Sequence, residues 1–141
     1  MNTRLMAESY ITTARDCLEQ AHSSFERGNY PLPLRRSQEC TELSVKAALR
    51  SIGLEYPREH DVSDALEMVK EKFPTWFSSE LPKFAEISKA LSKKRGPAMY
   101  GYEFELKPAS EIFKREDAEE AFSCAGFVFQ ACKKLLDEIR R

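Results

Sequence analysis

The residues best suited to chemistry are a basic run and the aromatic residues that follow it in the second half of the chain. They are Lys89, Lys93, Lys94 and Arg95, followed by Tyr100, Tyr102 and Phe104. Positive charge can follow a phosphate backbone, and aromatic rings can stack on bases. The segment therefore predicts a nucleic-acid interface. The alternative from composition alone is a solvated lysine face with the loop rings packed into the core.

Other kinds of site lack their usual residue patterns. The two histidines, His22 and His60, lie far apart in the sequence, and no cluster of His, Cys and carboxylate residues has the spacing of metal ligands. There is no glycine-rich phosphate loop and no Gly-x-Ser-x-Gly elbow, which argues against the familiar nucleotide hydrolases and serine hydrolases. We therefore expect no metal and no cofactor.

The cysteines are scattered and form no Cys-x-x-Cys pair of the kind that indicates a metal clamp or a redox centre. They are Cys17, Cys40, Cys124 and Cys132. We expect buried thiols that act as small apolar residues. Disulfides stay open as an alternative for a hyperthermophilic source, where intracellular bridges are common.

Length and charge limit the class of protein. The 141 residues suit one domain, and 42% hydrophobic with 32% charged residues is typical of a folded globular chain. The net charge is −1, from 22 basic and 23 acidic residues, so any attraction to nucleic acid must come from a local patch. No apolar run suits a membrane span or a signal peptide. We expect a single domain, residues 1–141, that is cytoplasmic and has no membrane partner.

Apolar residues at alternating steps of three and four predict the helices that must position these side chains. The first stripe is Ile11, Ala14, Leu18, Ala21 and Phe25, and the strongest, near the end, is Ala118, Ala121, Ala125, Val128, Cys132, Leu135 and Ile139. Between them we predict a second helix from about Leu34 to Ile52 and a short third helix from Asp61 through Val69. A fourth helix carries Phe84, Ile87 and Leu91 and stops at Gly96 and Pro97.

The connectors complete the predicted fold. A short proline-containing connector at residues 30–33 makes the first two helices antiparallel neighbours. Trp76 and Phe77 fall in a connector and should pack onto the bundle. From Pro97 to Glu116 no period holds, and a gap of that length is usually functional or contains a short helix. The predicted fold class is all-α, an up-and-down bundle of four long helices plus one short helix.

The second helix carries Gln38, Glu42 and Lys46 at steps of four on one side. Glu42 precedes Lys46 in the order that favours an intrahelical ion pair, and a solvated face would also explain the spacing. The run Ser-Gln-Glu-Cys-Thr-Glu-Leu-Ser-Val-Lys-Ala-Ala-Leu, residues 37–49, is more specific. It resembles the second helix of the HEPN family (higher eukaryotes and prokaryotes nucleotide-binding domain), small helical proteins in which this glutamine, glutamate and lysine progression is typical.

Other parts of the chain extend the resemblance. The first predicted helix and the Arg-Gly-Asn-Tyr turn at residues 27–30 are similar to the family's first helix and its connector. After Gly53 and Pro57, the His-Asp-Val step that begins at His60 resembles the family's entry into the third helix. The resemblance covers about residues 10–102, and the last helix agrees in pattern. His60 is expected to anchor its loop to the bundle, with a direct functional role as the alternative.

The resemblance also implies a particular chemistry. Active family members cleave RNA without a metal through an Arg-x4-6-His motif, and two protomers pair so that both copies face one cleft. Arg95 matches the arginine, whose guanidinium is suited to hold a phosphate or stabilise developing charge. Where the histidine should stand, the chain has Tyr100, Gly101 and Tyr102. Tyrosine is ionised to about one part in a thousand at neutral pH, so Tyr100 is a poor substitute base.

One family subgroup, the toxins paired with a minimal nucleotidyltransferase, carries Arg-x4-His-x-Tyr, in which the partner adenylylates the tyrosine. In that alignment Arg95 and Tyr102 match, and Tyr100 replaces the histidine. The resemblance therefore implies that Tyr102 is a modification site. An ordinary packing role for a loop tyrosine beside a glycine is the alternative.

We therefore expect a stand-alone prokaryotic protein of this family, dimeric and catalytically silent, that binds nucleotide or RNA through Arg95, its basic neighbours and Tyr102. A minimal nucleotidyltransferase would be its partner. One alternative is a metal-independent endoribonuclease toxin with an atypical site, in which Tyr100 or His60 handles the proton. Another is a non-catalytic scaffold that dimerises through the apolar faces of the first and last helices. The signature residues of the second helix are expected to brace the bundle.

Overall fold

The computed structural model describes residues 3–55 and 62–140, most of which are helical. In chain order the helices are α1 (Thr3–Glu26), α2 (Pro31–Ser51), α3 (Val62–Met68), a 3-10 turn (Lys70–Lys72), α4 (Thr75–Ser78), α5 (Leu81–Tyr100), α6 (Ala109–Ile112) and α7 (Arg115–Arg140). The described residues contain no strand, only an isolated bridge between Tyr102 and Lys107. The predicted bundle of four long helices is confirmed, with more short helices than the single one predicted.

Helix α1 runs antiparallel to both α2 and α7. One shallow cavity is lined by Thr3, Ser51 and Ile139, so the start of α1 lies beside the ends of α2 and α7. At the other end of the bundle, the Phe25 ring of α1 meets the Phe122 ring of α7 edge-on, with 5.1 Å between centroids. The short connector between α1 and α2 requires the same arrangement. The predicted antiparallel packing of the first two helices is confirmed.

The apolar stripes that predicted α1 and α7 form much of the core. The buried members of the α1 stripe are Ile11, Ala14 and Ala21, and those of the α7 stripe are Ala118, Ala121, Ala125, Val128, Cys132 and Leu135. Ile139, at the end of α7, is 50% exposed. The two helices pack on each other and on α2, so one copy of the chain covers these faces by itself. A dimer formed through the apolar faces of the first and last helices is therefore wrong.

Helix α5 passes through its predicted stop. Gly96 and Pro97 lie inside the helix, which ends at Tyr100. A residue before proline normally leaves the helical region because its Cβ meets the proline ring, but Gly96 has no Cβ. Burial of Ala98, which is 4% exposed, favours the extra turn. The chain leaves the helix only at Gly101, whose φ of 72° lies in the left-handed region that glycine tolerates.

The predicted connector around Trp76 and Phe77 contains α4 and packs onto the bundle as expected. Phe77 is fully buried, and its ring lies 5.3 Å from the ring of Phe84 on α5. Trp76 is half-buried, and its Nε1–H donates a hydrogen bond to Glu138 Oε2 at 3.0 Å. These contacts tie the middle of the chain to both α5 and α7.

Several boundaries differ from the prediction by a few residues. Helix α2 begins at Pro31, earlier than the predicted Leu34, and the Asn29 side-chain oxygen accepts a hydrogen bond from the Leu32 backbone N–H at 3.2 Å. The expected anchor His60 and cap Asp61 lie outside the described residues. The segment after Pro97 holds the last turn of α5 and helix α6. No helix in the described part of the chain combines the length and hydropathy needed to cross a membrane.

The cysteines behave as predicted from their scattered positions. Cys17, Cys40 and Cys132 are buried, Cys124 is half-buried, and all four are free thiols. Burial raises the pKa of Cys40 to about 12, and it raises the pKa of Cys132 as well. These two thiols keep their protons at neutral pH and pack as small apolar groups. Across residues 3–55 and 62–140, no group of His, Cys, Asp and Glu is arranged to hold a metal ion.

Candidate functional site

Gln38 holds Arg95, which joins the basic run to the polar residues of the second helix. The Arg95 Nη1–H donates a hydrogen bond to Gln38 Oε1 at 2.7 Å. Gln38 is buried, with 7% exposure, whereas Arg95 is exposed. A guanidinium has five N–H donors, so this bond fixes one corner of the group and leaves donors for another partner.

The core packing of α5 places Arg95 at this position. Arg95 follows Leu91 by four residues and precedes Ala98 by three, and both of those residues are buried. Residues three and four apart share one side of a helix, so Arg95 lies at the edge of the buried stripe. Gln38 comes early in α2 and Arg95 late in α5. Their contact therefore depends on the antiparallel packing of these two helices.

Arg35 is a further arginine on the helix that carries Gln38, and sequence reasoning does not single it out. It stands one turn before Gln38, so the two residues share a side of α2. Its Nε is buried and has no hydrogen-bond partner among the described residues. The signal that could have identified Arg35 is its place three residues before Gln38, a spacing at which two side chains are neighbours on a helix surface. Glu42 and Lys46 are both half-buried, and the ion pair between them stays a prediction.

The other basic residues lie on different sides of α5. At about 100° per residue, Lys89 and Lys93 face away from the buried stripe. The Lys89 Nζ lies 4.0 Å from Asp64 Oδ1 of α3. Lys94 lines a groove together with Glu120 and Cys124 of α7. The basic run is therefore distributed around the helix. Arg95 is the residue of this run that bonds to Gln38 on α2.

The aromatic residues after α5 form an exposed hairpin, residues 102–107. Backbone hydrogen bonds join Tyr102 and Lys107 in both directions, with N···O distances of 2.9 and 3.1 Å. Tyr102 is 44% exposed, and Phe104 and Leu106 are almost completely exposed. The alternative in which the loop rings pack into the core is therefore wrong. The rings are open to a partner.

Gly101 joins α5 to this hairpin, and Tyr100 precedes it at the end of the helix. A Cβ at Gly101 would collide with the carbonyl oxygen of Lys107, so only glycine fits. Tyr100 is 65% exposed. Tyr100 comes five residues after Arg95 in the helix, a net rotation of about 140°, so the two side chains leave α5 in different directions. Helix geometry therefore places Tyr100 and Arg95 on different sides of α5.

The match to a known protein family covers most of the chain. A family model for the HEPN domain matches residues 7–135. The chain belongs to the HEPN domain family. The match extends through most of α7, beyond residues 10–102 where the sequence resemblance is carried by motifs. The expected family is confirmed.

Two known proteins are similar to this HEPN protein over almost their whole length. A protein of Methanocaldococcus jannaschii named "Putative toxin MJ1304" is 29% identical over 138 residues, which are 94% of this chain and 89% of that protein. The crystal structure of TT1696 from Thermus thermophilus has a TM-score of 0.72 at 24% identity and covers 95% of this chain and 98% of that one. The second similarity confirms the HEPN fold.

Proposed function

We propose that this HEPN protein, as a homodimer, binds RNA or a nucleotide through Arg95 without cleaving it, and that its partner is a minimal nucleotidyltransferase. The observation that carries the proposal is the 2.7 Å hydrogen bond from Arg95 to Gln38. The bond steadies the guanidinium on a helix and uses a neutral acceptor, so the positive charge stays available. A guanidinium presented in this way suits bidentate contact with a phosphate.

Residues around Arg95 supply further contacts for a longer strand. Arg35 adds a second guanidinium one turn from Gln38, and its buried Nε is unpaired within the described residues. The lysines at positions 89, 93 and 94 extend the positive charge around α5. The exposed ring of Tyr102 can stack on a base. Arg95 is therefore the centre of the proposed interface, and these residues are its margin.

The proposed absence of cleavage rests on the residue at the family's histidine position. Tyr100 stands there, directed away from Arg95, and tyrosine supplies little base at neutral pH. His22 packs against Phe122, with 4.2 Å between ring centroids, in the contact between α1 and α7. Tyr100 therefore leaves α5 on a different side from Arg95, and the His22 ring is engaged by Phe122. This geometry supports a binding role over a catalytic one.

Arg95→Ala is expected to weaken the binding of single-stranded RNA by about 10- to 100-fold, because charge-assisted hydrogen bonds are lost. Fluorescence anisotropy at fixed salt measures this change. Arg4→Ala is the matched control, since it removes the same charge at the opposite end of the bundle, beside the end of α2. Equal RNA binding by Arg95→Ala and Arg4→Ala, or an RNA titration unaffected by charge reversal at Lys93 and Arg95, would contradict the proposal. A non-catalytic scaffold, with contacts elsewhere than on the apolar faces of α1 and α7, would then replace it.

A metal-independent endoribonuclease toxin with an atypical site is the second candidate, favoured by the name of the relative from M. jannaschii. Incubation of the purified protein with RNA in chelator separates it from the first. Intact RNA is expected. Cleavage that is lost in Arg95→Ala would establish the second candidate, and loss in Tyr100→Phe or His60→Ala would identify the proton-transfer group.

Tyr102 is expected to gain one adenylyl group when the protein is co-expressed with a minimal nucleotidyltransferase. The residue is exposed in a hairpin beyond the end of α5, where an enzyme can reach its hydroxyl. Intact mass spectrometry measures the addition. Tyr102→Phe should abolish it, and Tyr100→Phe, two residues earlier and also exposed, should retain it. An unchanged mass of the wild-type protein, or modification of Tyr102→Phe, would contradict this assignment.

A further inference from the structure

Gln38 is a buried amide whose side chain, within the described residues, bonds to that of Arg95. We infer that Gln38 is a positioning residue for phosphate recognition: it orients the guanidinium of Arg95 and, being neutral, leaves the positive charge of Arg95 to the ligand. This inference rests on the proposed function and assigns a role to a residue that sequence reasoning treats as a structural brace.

The contrast with another arginine of this chain supports the inference. Arg36 lies on the same helix as Gln38, and its Nη1 is 2.6 Å from Glu39 Oε1. That carboxylate holds Arg36 but also neutralises it. A glutamate in place of Gln38 would hold Arg95 in the same way and compete with phosphate for the same donors. The amide provides a hydrogen-bond acceptor without the competing charge.

Burial makes Gln38 a rigid support. Only 7% of the residue is exposed, so its side chain has few alternative conformations. Its oxygen, not its NH2 group, must face Arg95, because a guanidinium can only donate. Arg95 lies on the outer edge of α5 and loses the entropy of a long side chain when it is held by a ligand. Gln38 restricts that side chain before the ligand arrives, which is the physical basis of a gain in affinity.

The test measures RNA affinity across a salt series for Gln38→Glu and Gln38→Met. Gln38→Glu is expected to weaken binding at least about 10-fold and to reduce the slope of log K against log salt by about 0.7, the loss of one phosphate contact. Gln38→Met, which fills the same space without an acceptor, is expected to lose only about 3-fold and keep the slope, because Arg95 stays charged. Gln130→Glu, which makes the same change on an exposed part of α7, should bind as the wild type does.

Two results would overturn the inference. The first is equal affinity and slope for Gln38→Glu and Gln130→Glu. The second is an equal loss in Gln38→Glu and Gln38→Met with an unchanged slope in both, which is what damage to the packing of α2 against α5 would produce. A role limited to structure does not change the number of phosphate contacts.

A double-mutant cycle without RNA separates this inference from the proposed function. Gln38→Met is expected to shift the unfolding equilibrium constant several-fold in the wild-type background and much less in the Arg95→Met background. Equal shifts in the two backgrounds would show that Gln38 does not hold Arg95, whatever the RNA result. A clear coupling between Gln38 and Arg95, together with an Arg95→Ala variant that binds RNA as tightly as the wild type, would instead overturn the proposed function. The phosphate role of Gln38 would fall with it.

Discussion

Phe84→Ala is expected to lower the free energy of unfolding by about 3–5 kcal/mol. The Phe84 side chain is fully buried, and its ring lies 5.3 Å from the ring of Phe77 and 5.8 Å from the ring of Phe127. Truncation would remove contacts with α4 and α7 at once and leave a cavity between elements that cannot all move inward. Because Phe84 anchors the first half of α5, this loss also loosens the helix that carries Arg95.

Denaturant unfolding followed by circular dichroism measures the effect. Phe104→Ala is the matched control, since it deletes the same ring from the exposed tip of the hairpin. That variant is expected to change the free energy of unfolding by no more than about 0.5 kcal/mol. Similar losses for Phe84→Ala and Phe104→Ala would contradict the assignment of Phe84 to the core.

Gly101→Ala is expected to lower the free energy of unfolding by about 2–3 kcal/mol and to release the hairpin at residues 102–107. Gly101 has φ 72° and ψ −161°, a combination essentially reserved for glycine. An added Cβ would collide with the carbonyl oxygen of Lys107 and lie 3.0 Å from the backbone nitrogen of Ala109. Both neighbours are backbone atoms, so no side-chain rotation relieves the collision and the bridge between Tyr102 and Lys107 must open.

Denaturant unfolding and limited proteolysis of the hairpin together test this expectation. Gly126→Ala, within α7, is the control. A Cβ at Gly126 would meet only Leu18 Cδ2 of α1, at the ordinary contact distance of 3.9 Å. Alanine in a helix interior is expected to be neutral or to stabilise by about 0.5–1 kcal/mol. Faster cleavage should appear in Gly101→Ala alone. Wild-type stability and protease resistance in Gly101→Ala would show that the turn does not require glycine at position 101.

The helical periods in the sequence predicted the long helices well because those periods arise from burial. The stripes on α1 and α7 are the surfaces that pack in the core, so the pattern and the packing have the same cause. The same reasoning misjudged the dimer contact. A stripe shows that a helix face is covered, but it does not show whether the cover comes from the same chain or from a second copy.

The end of α5 shows where local rules are insufficient. A glycine followed by a proline usually ends a helix, yet Gly96 and Pro97 lie inside α5. Two local effects oppose each other there: proline removes a backbone donor, and glycine removes the Cβ that would meet the proline ring. Burial of Ala98 favours continuation, and that contribution depends on packing that no local pattern contains.

The sequence by itself determined the helical class and the HEPN family, and it singled out Arg95 as a candidate, because periodicity and motif spacing are properties of neighbouring residues. Only the tertiary structure decided what Arg95 contacts. Gln38 and Arg95 are 57 residues apart, and their 2.7 Å bond depends on the alignment of α2 against α5. Continuation of α5 to Tyr100, past Gly96 and Pro97, also fixed the side of the helix from which Tyr100 leaves. Helix packing sets such alignments through the shapes of many side chains, so motifs identify the residues of a site, while packing decides which of them meet.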